Sequence, residues 1–299
     1  ALLPPLVQAA SACDGPAFQT LAVQAAAPVE ARAYWLNRRL IQWPQQPSGT
    51  QTRFKLYHSA VAALRAQPGQ AVSGADGALD LLPDTGPLDA ELAARFKFIG
   101  EGPRLALPEA ALSRLSVLYK SQLLLVQEGL GGEVLAFTAL QSPGALDDLY
   151  AAAKAVPDLG AHPRRASTGF KLWAPTAQRV SLCRYASGHG PALTEPAAMR
   201  FDAATGIWSL SLPQDLSGQY YSFSVDVVVP GVGLVRNRVT DPYSVSLTTD
   251  SRRSYVADLA AAKLKPAGWD ATQRPDRVKA QTDMVIYELH VRDFSIGDA

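Results

Sequence analysis

Gln219-Tyr-Tyr-Ser-Phe-Ser-Val-Asp-Val-Val-Val229 decides the fold of the middle of this 299-residue chain. Aromatic and β-branched residues alternate there with Ser and Asp, the period-two pattern of a strand with one dry face. The alternation predicts Tyr221, Phe223, Val225 and Val227 inside and Tyr220, Ser222, Ser224 and Asp226 outside. Three similar runs precede it: Gly169-Phe-Lys-Leu-Trp-Ala174, Val180-Ser-Leu-Cys-Arg-Tyr185 and Ile207-Trp-Ser-Leu-Ser-Leu212. Asp202-Ala-Ala-Thr-Gly206 reads as the turn before the third. Short strands at near-regular spacing with turns between them predict an all-β, immunoglobulin-like sandwich over residues 163–262.

Upstream, the polar stretch 157–163, with Gly160 and His162 and with Arg164-Arg165 after it, marks a domain boundary. Residues 34–158 read as an α+β domain. Residues 54–59 and 78–82 are strand-like, residues 68–77 form a Gly- and Asp-rich loop, and leucine recurs at helical spacing over 88–96 and 108–118. Residues 122–128 and 133–140 flank Gly129-Leu-Gly-Gly132, a hairpin signal. Asp147 and Asp148 stand side by side, but a catalytic carboxyl pair needs its two groups facing each other across a substrate, about 5 to 9.5 Å apart. They read as caps at a helix start.

Residues 1–33 read as a signal remnant or a disordered lead-in. Ala1-Leu-Leu-Pro-Pro-Leu-Val-Gln-Ala9 has the small-residue ending of a secretory signal, with cleavage expected near Ala9. Ala10-Ser-Ala-Cys13 has a faint likeness to a lipoprotein processing site, without the usual leucine, and an Ala-rich disordered tail fits the same residues. Cys13 in a predicted tail and Cys183 in a predicted strand could pair, but are expected to be free thiols. Two cysteines and four histidines offer no zinc spacing, so no metal site is expected. A net charge of +1 implies no attraction to nucleic acid, and no apolar run reaches the length of a transmembrane helix.

Residues 263–299 read as a linker followed by one more strand, Met284-Val-Ile-Tyr-Glu-Leu-His-Val-Arg-Asp-Phe-Ser295. A short apolar run of this kind suits a strand buried on both faces, as in a parallel sheet or the wall of an α/β barrel. Glu288 and His290 share a face but have no third ligand or opposing carboxylate nearby, so a structural role is expected.

Several separated motifs, in order, resemble one family. Tyr287-Glu-Leu-His-Val-Arg-Asp-Phe-Ser295 resembles the first strand of the catalytic (β/α)8 barrel in pullulanases, debranching enzymes of glycoside hydrolase family 13. Leu172-Trp-Ala-Pro-Thr-Ala177, Gly218-Gln-Tyr-Tyr221 and Val239-Thr-Asp-Pro-Tyr-Ser244 resemble carbohydrate-binding module family 48, and the run from Ser246 to Asp258 is pullulanase-like. Tyr34-Trp-Leu36, Trp43-Pro44, Lys120-Ser-Gln122 and Gly144-Ala-Leu-Asp-Asp-Leu-Tyr150 resemble the domain that precedes that module in pullulanases and limit dextrinases.

The resemblance implies a parent enzyme, secreted or at the cell surface of a bacterium, periplasmic and lipid-anchored forms included. It would hydrolyse α-1,6 linkages in pullulan, amylopectin and limit dextrins. It also implies an Asp nucleophile, a Glu acid/base and a second Asp on later barrel strands, so no catalytic residue falls in this chain. The implied partners are an α-glucan (pullulan, starch or glycogen) and the rest of the catalytic barrel. No cofactor is implied here, and calcium is allowed in the parent. Tyr220 is the best exposed candidate for stacking on sugar, Trp173 is a second substrate-binding candidate that fits a core position or a barrel contact as well, and Trp208 is core. Glycogen-sensing members carry a tryptophan in the loop after the second strand, and Ala186-Ser-Gly-His-Gly-Pro191 has none. His290, Arg292 and Asp293 would sit at the functional end of the barrel strand. A self-standing, non-catalytic glucan-binding or scaffold module is the alternative, and an isoamylase or branching enzyme fits less well because of residues 34–150.

Overall fold

The computed structural model describes residues 11–49, 51–274 and 276–297. Two compact units divide the chain, one through Asp258 and one from Leu259. The signal-like stretch ending at Ala9 lies outside the described residues.

In the first unit β1 is Phe18–Val23. Next come β2 (Ala31–Trp35), β3 (Leu40–Gln42), β4 (Thr52–Ser59), β5 (Gly77–Pro83), β6 (Arg104–Ala106), β7 (Gln122–Gly129) and β8 (Val134–Gln141). β2 to β8 close into a barrel in the order β2-β3-β6-β5-β4-β7-β8. A parallel pairing of β2 with β8 completes it, and the other neighbours run antiparallel. Closure leaves the barrel no open edge. Trp35, Ile41, Trp43, Leu56, Leu105 and Leu125 fill its buried core. The β7–β8 hairpin forms as predicted, with Gly132 at φ 85 in its turn, a conformation that favours glycine.

The α+β expectation for this domain is corrected, because its helices are only one or two turns long. They are α1 (Ala90–Arg95), α2 (Glu109–Leu112), α3 (Leu115–Leu118) and α4 (Pro143–Leu149). The helix expected over 108–118 is broken into α2 and α3. Ala111, Leu115 and Leu118 all reach the barrel core across that break. Asp147 and Asp148 are not helix-start caps. They lie near the end of α4, where Arg95 and Arg38 respectively pair with them at 2.6 and 2.9 Å.

After the barrel come β9 (Gly160–Arg164), β10 (Ser167–Trp173), β11 (Arg179–Tyr185), β12 (Ala197–Ala198) and β13 (Arg200–Asp202). Then follow β14 (Ile207–Leu212), β15 (Tyr220–Val229), β16 (Gly233–Val239) and β17 (Ser254–Tyr255). One sheet runs β13-β14-β10-β9, the other β1-β16-β15-β11-β12 with β17 also on β15. Phe170, Leu172, Val180, Leu182, Tyr221 and Phe223 pack between them. The predicted two-layer sandwich is present, and the break expected at 157–163 runs into its first contiguous strand, β9.

Two of its predicted outward residues are buried. Ser222 is covered because the Cys13 segment lies on that face beside Cys183 and Tyr185, and Tyr185 Oη is 3.3 Å from Ser222 Oγ. Asp226 is enclosed by its cross-strand partner Arg236, whose guanidinium donates to both carboxylate oxygens at 2.7 and 2.8 Å.

The largest correction concerns the predicted lead-in. β1 pairs antiparallel with β16, so a strand from upstream of the barrel completes a sandwich sheet downstream of it. Cys13 and Cys183 are joined in a disulfide 170 residues apart, not free. β1 carried no clear sequence signal because it is an edge strand exposed on both faces. Main-chain hydrogen bonds and the nearby cross-link hold it rather than apolar burial.

The unit from Leu259 is made of short 3₁₀ turns and one helix, α5 (Val291–Ser295). The predicted barrel strand is not formed. Residues 284–290 carry no regular structure and have no strand partner among the described residues, and Val285 and Ile286 are 96% and 84% exposed. A buried parallel strand takes its hydrogen bonds and its burial from neighbouring strands. An apolar run alone supplies neither.

Candidate functional site: a polar sheet face and the seam beneath it

Strand register builds the candidate site on the outer face of the β13-β14-β10-β9 sheet. Pairing puts Lys171, Ser209 and Arg200 in one row across β10, β14 and β13. His162, Gly169 and Ser211 form the next row, about 6.8 Å further along the strands. Arg164 and Ser167 follow. Together they surround a groove of about 600 Å³. Gly169 leaves its floor open, since a Cβ there would meet no atom within 4 Å. The Lys171 ammonium donates to Asp158 at 2.6 Å and holds that carboxyl below the ordinary aspartate range. Hydroxyls and cations in rows can hydrogen-bond a polar polymer.

Trp173 lies two residues after Lys171 on the same face by alternation, half-buried, with its indole N–H donating to the Thr205 carbonyl at 3.1 Å. Tyr220 is not the open platform expected. It is half-buried on the opposite sheet, packed on the disulfide cluster, with its ring 5.1 Å from that of Tyr255. Trp208 is core, as expected.

Beneath the polar face lies a seam with the barrel that sequence reading missed. Phe201 packs against both the barrel core and the sandwich core. Lys120, just before β7, places its ammonium 3.4 Å from the Phe201 ring centroid and 5.0 Å from that of Trp208. Burial holds Lys120 below the ordinary lysine range. The Gln178 side-chain amide donates to the carbonyls of Ala60 and Lys120 at 2.7 and 2.9 Å, while its backbone N–H donates to Asp226 on β15. No local pattern links Lys120 to aromatic residues 81 and 88 positions away. Lys120→Met keeps the apolar stem but removes the cation–π contact, and should lower the unfolding free energy by about 1–2 kcal/mol in a urea titration. An unchanged midpoint would show that the seam does not depend on the charge.

A second structural hub explains the Val239-Thr-Asp-Pro-Tyr-Ser244 motif. Buried Asp241 accepts from Tyr221 Oη at 2.7 Å and from the Tyr243 N–H at 2.8 Å, and its own N–H donates to Ser254 Oγ at 2.9 Å. Gly160, at φ 96, passes so close that a Cβ would lie 3.1 Å from the Tyr243 Cβ. Strand-end candidates His290, Arg292 and Asp293 are gathered on one turn. His290 Nδ1 lies 3.4 Å from Asp293, and Arg292 pairs with the same carboxylate at 2.8 Å. All three are exposed. Among the described residues no group of three or more His, Cys, Asp or Glu is placed to hold a metal, and no helix is long and apolar enough to cross a membrane.

A closed barrel is thus joined through a packed seam to a two-sheet sandwich that carries a polar groove. Residues 30–148 match the pullulanase N2 domain, and residues 158–244 match carbohydrate-binding module 48, the isoamylase N-terminal domain. The chain is 31% identical over 272 residues to a pullulanase of Klebsiella pneumoniae and 33% identical over 273 residues to the chloroplastic pullulanase 1 of Arabidopsis thaliana. Each alignment covers 90% of this chain, but only 24% and 27% of those proteins. The crystal structure of apo pullulanase from Klebsiella pneumoniae superposes with a TM-score of 0.73 at 30% identity, over 83% of this chain and 26% of that one. The chain carries a pullulanase N2 domain followed by a carbohydrate-binding module 48, and it spans about a quarter of the length of these relatives.

Proposed function

We propose that this chain is the accessory N-terminal part of a starch-debranching enzyme that hydrolyses α-1,6-glucosidic linkages in pullulan, amylopectin and limit dextrins. The carrying observation is continuous similarity to pullulanases along 90% of the chain, through two domains in the same order. On this reading the catalytic carboxylates lie outside these 299 residues. The polar sheet face with Trp173 at its end contacts α-glucan, and Tyr220 contributes at most a ring edge. Segment 284–295 gains strand neighbours only beside a catalytic barrel, with His290, Arg292 and Asp293 at its functional end. The disulfide supports assembly in an oxidising compartment, hence secretion or display at a bacterial cell surface.

A reducing-end assay on pullulan tests the division of labour. The purified chain should release no sugar, and sustained cleavage by it would overturn the assignment. The hydrogen-bonding groove also favours a second reading, a self-standing glucan-binding module. Retention on amylopectin in affinity electrophoresis would support glucan contact, and loss of that retention in Lys171→Ala would place it on the groove.

A further inference from the structure

We propose that residues 11–23 form a redox-controlled clasp that opens without unfolding the domains it closes. The clasp is held at its start by a dense set of contacts. The Cys13 carbonyl accepts from Tyr185 Oη at 3.2 Å and from the Arg238 guanidinium, which also donates to the Gly15 carbonyl at 2.7 Å. Asp14 accepts from the Ala192 N–H at 2.9 Å, and Ser11 Oγ donates to the Thr194 carbonyl at 3.1 Å. Every one of these contacts lies within four residues of Cys13, and the disulfide to Cys183 is at their centre.

Beyond that anchor, the segment contributes little burial. β1 runs along the edge of β16 with Phe18 51% and Val23 77% exposed, and its pairing is interrupted by a register shift between Thr20 and Ala22. An edge strand with so little apolar contact belongs to the low-stability end of a structure, where local opening is cheap. The barrel core and the sandwich core each consist of residues outside the clasp. The cross-link is therefore the covalent tie in a docking that otherwise rests on hydrogen bonds rather than on apolar burial.

The clasp also forms one wall of a polar groove of about 990 Å³. Asp14 and Ala17 line it together with Arg238, which is bonded to the clasp, and the loop carrying His189. Tyr185 connects the two sides. Its hydroxyl holds the clasp, and the Arg253 guanidinium lies 3.6 Å from its ring centroid while donating to the carbonyls of Ser187 and Gly190. Opening the clasp would dismantle that wall, uncover Tyr185 and Cys183, and bare the β16 edge for pairing with another strand.

The opening agent is a dithiol. Its thiolate attacks one sulfur of the Cys13–Cys183 bond, forms a mixed disulfide, and expels the other sulfur as a thiolate that takes a proton. The second thiol of the agent, as its thiolate, then closes the agent's own disulfide and frees the first cysteine, which is protonated. Two electrons pass to the protein, and the agent leaves oxidised. Both cysteines are buried, at 1% and 0% exposure, so attack requires the clasp to fray first. The inference rests on this geometry and not on the glucan reading.

Hydrogen–deuterium exchange on the full chain tests it, in the oxidised form, after dithiothreitol, and in Cys13→Ser without reductant. Alkylation mass confirms two free thiols. The expected result is at least tenfold faster exchange at amides 18–23 and their β16 partners in the reduced and Cys13→Ser chains, with β4 and β7 unchanged. Three outcomes would overturn the proposal: β1 protection persisting with both thiols free, protection lost across the whole first unit together, or a bond that dithiothreitol does not open while that unit is native.

Discussion

A fragment of residues 158–262 will not form a stable monomer, although it contains the whole span that matches carbohydrate-binding module 48. The sandwich is discontinuous. Its outermost strand, β1, and one half of its disulfide precede the barrel in the chain. Excision bares the β16 edge, leaves Cys183 unpaired, uncovers Tyr185, and removes Lys120 from the Phe201–Trp208 seam. Loss of the barrel seam separates this fragment from a chain whose clasp alone has opened, and it comes on top of the about 2–5 kcal/mol that a native disulfide supplies, out of about 5–15 kcal/mol for an ordinary domain. Size-exclusion chromatography and a thermal melt should show a broad transition or a dimer linked through Cys183. A fragment of residues 11–258 should melt cooperatively as a monomer. A monomeric 158–262 fragment with a melt equal to that of 11–258 would mean that the sandwich is an independent module after all.

Asp241→Ala should cost about 2–4 kcal/mol, because it takes the acceptor from the buried hydroxyl of Tyr221 and from the part-buried N–H of Tyr243. Adding Tyr221→Phe should recover part of that loss by removing one of the stranded donors. If the double variant is no more stable than the single one, the network is not the source. The pH dependence has a definite sign. Burial raises the Asp241 pKa above its ordinary 3.8. Between 3.8 and the raised value the folded state holds a proton that the unfolded state has released, so stability falls as pH rises through that window. Asp241→Asn, which cannot titrate, should flatten that part of the stability profile. An unaltered slope would assign it to another group.

The sandwich was readable in the sequence because its strands contrast a dry face with a wet one, as in Tyr221 and Phe223 against Ser222 and Ser224. Burial of Ser222 was not readable, since the residues covering it lie some 200 positions upstream. β1 escaped for the opposite reason: exposed on both faces, it has no contrast to detect. In the first domain single strands and the hairpin were legible. Closure through the parallel β2–β8 pair was not, because no local signal encodes which distant strands meet. The short helices inflated the helical reading for a related reason. Leucine spacing over 108–118 fits one helix or two turns with a break between them equally well.

Residues 284–290 form no strand here, since alternation and β-branching state what a strand needs but do not supply its neighbours. The polar groove shows the same division. Lys171, Ser209 and Arg200 come from three separate runs, and only antiparallel register brings them into one row. Trp173 could be picked from its strand, but the cations and hydroxyls near it could not.

The central claim is that these domains serve a debranching enzyme. The most direct test uses antibodies against residues 11–258 to capture the protein from its native culture. The captured protein is weighed intact and assayed on pullulan. The account predicts α-1,6 cleavage by a protein heavier than these 299 residues by about a 250-residue barrel. Captured protein with the mass of these 299 residues alone, and no cleavage of pullulan, would contradict it.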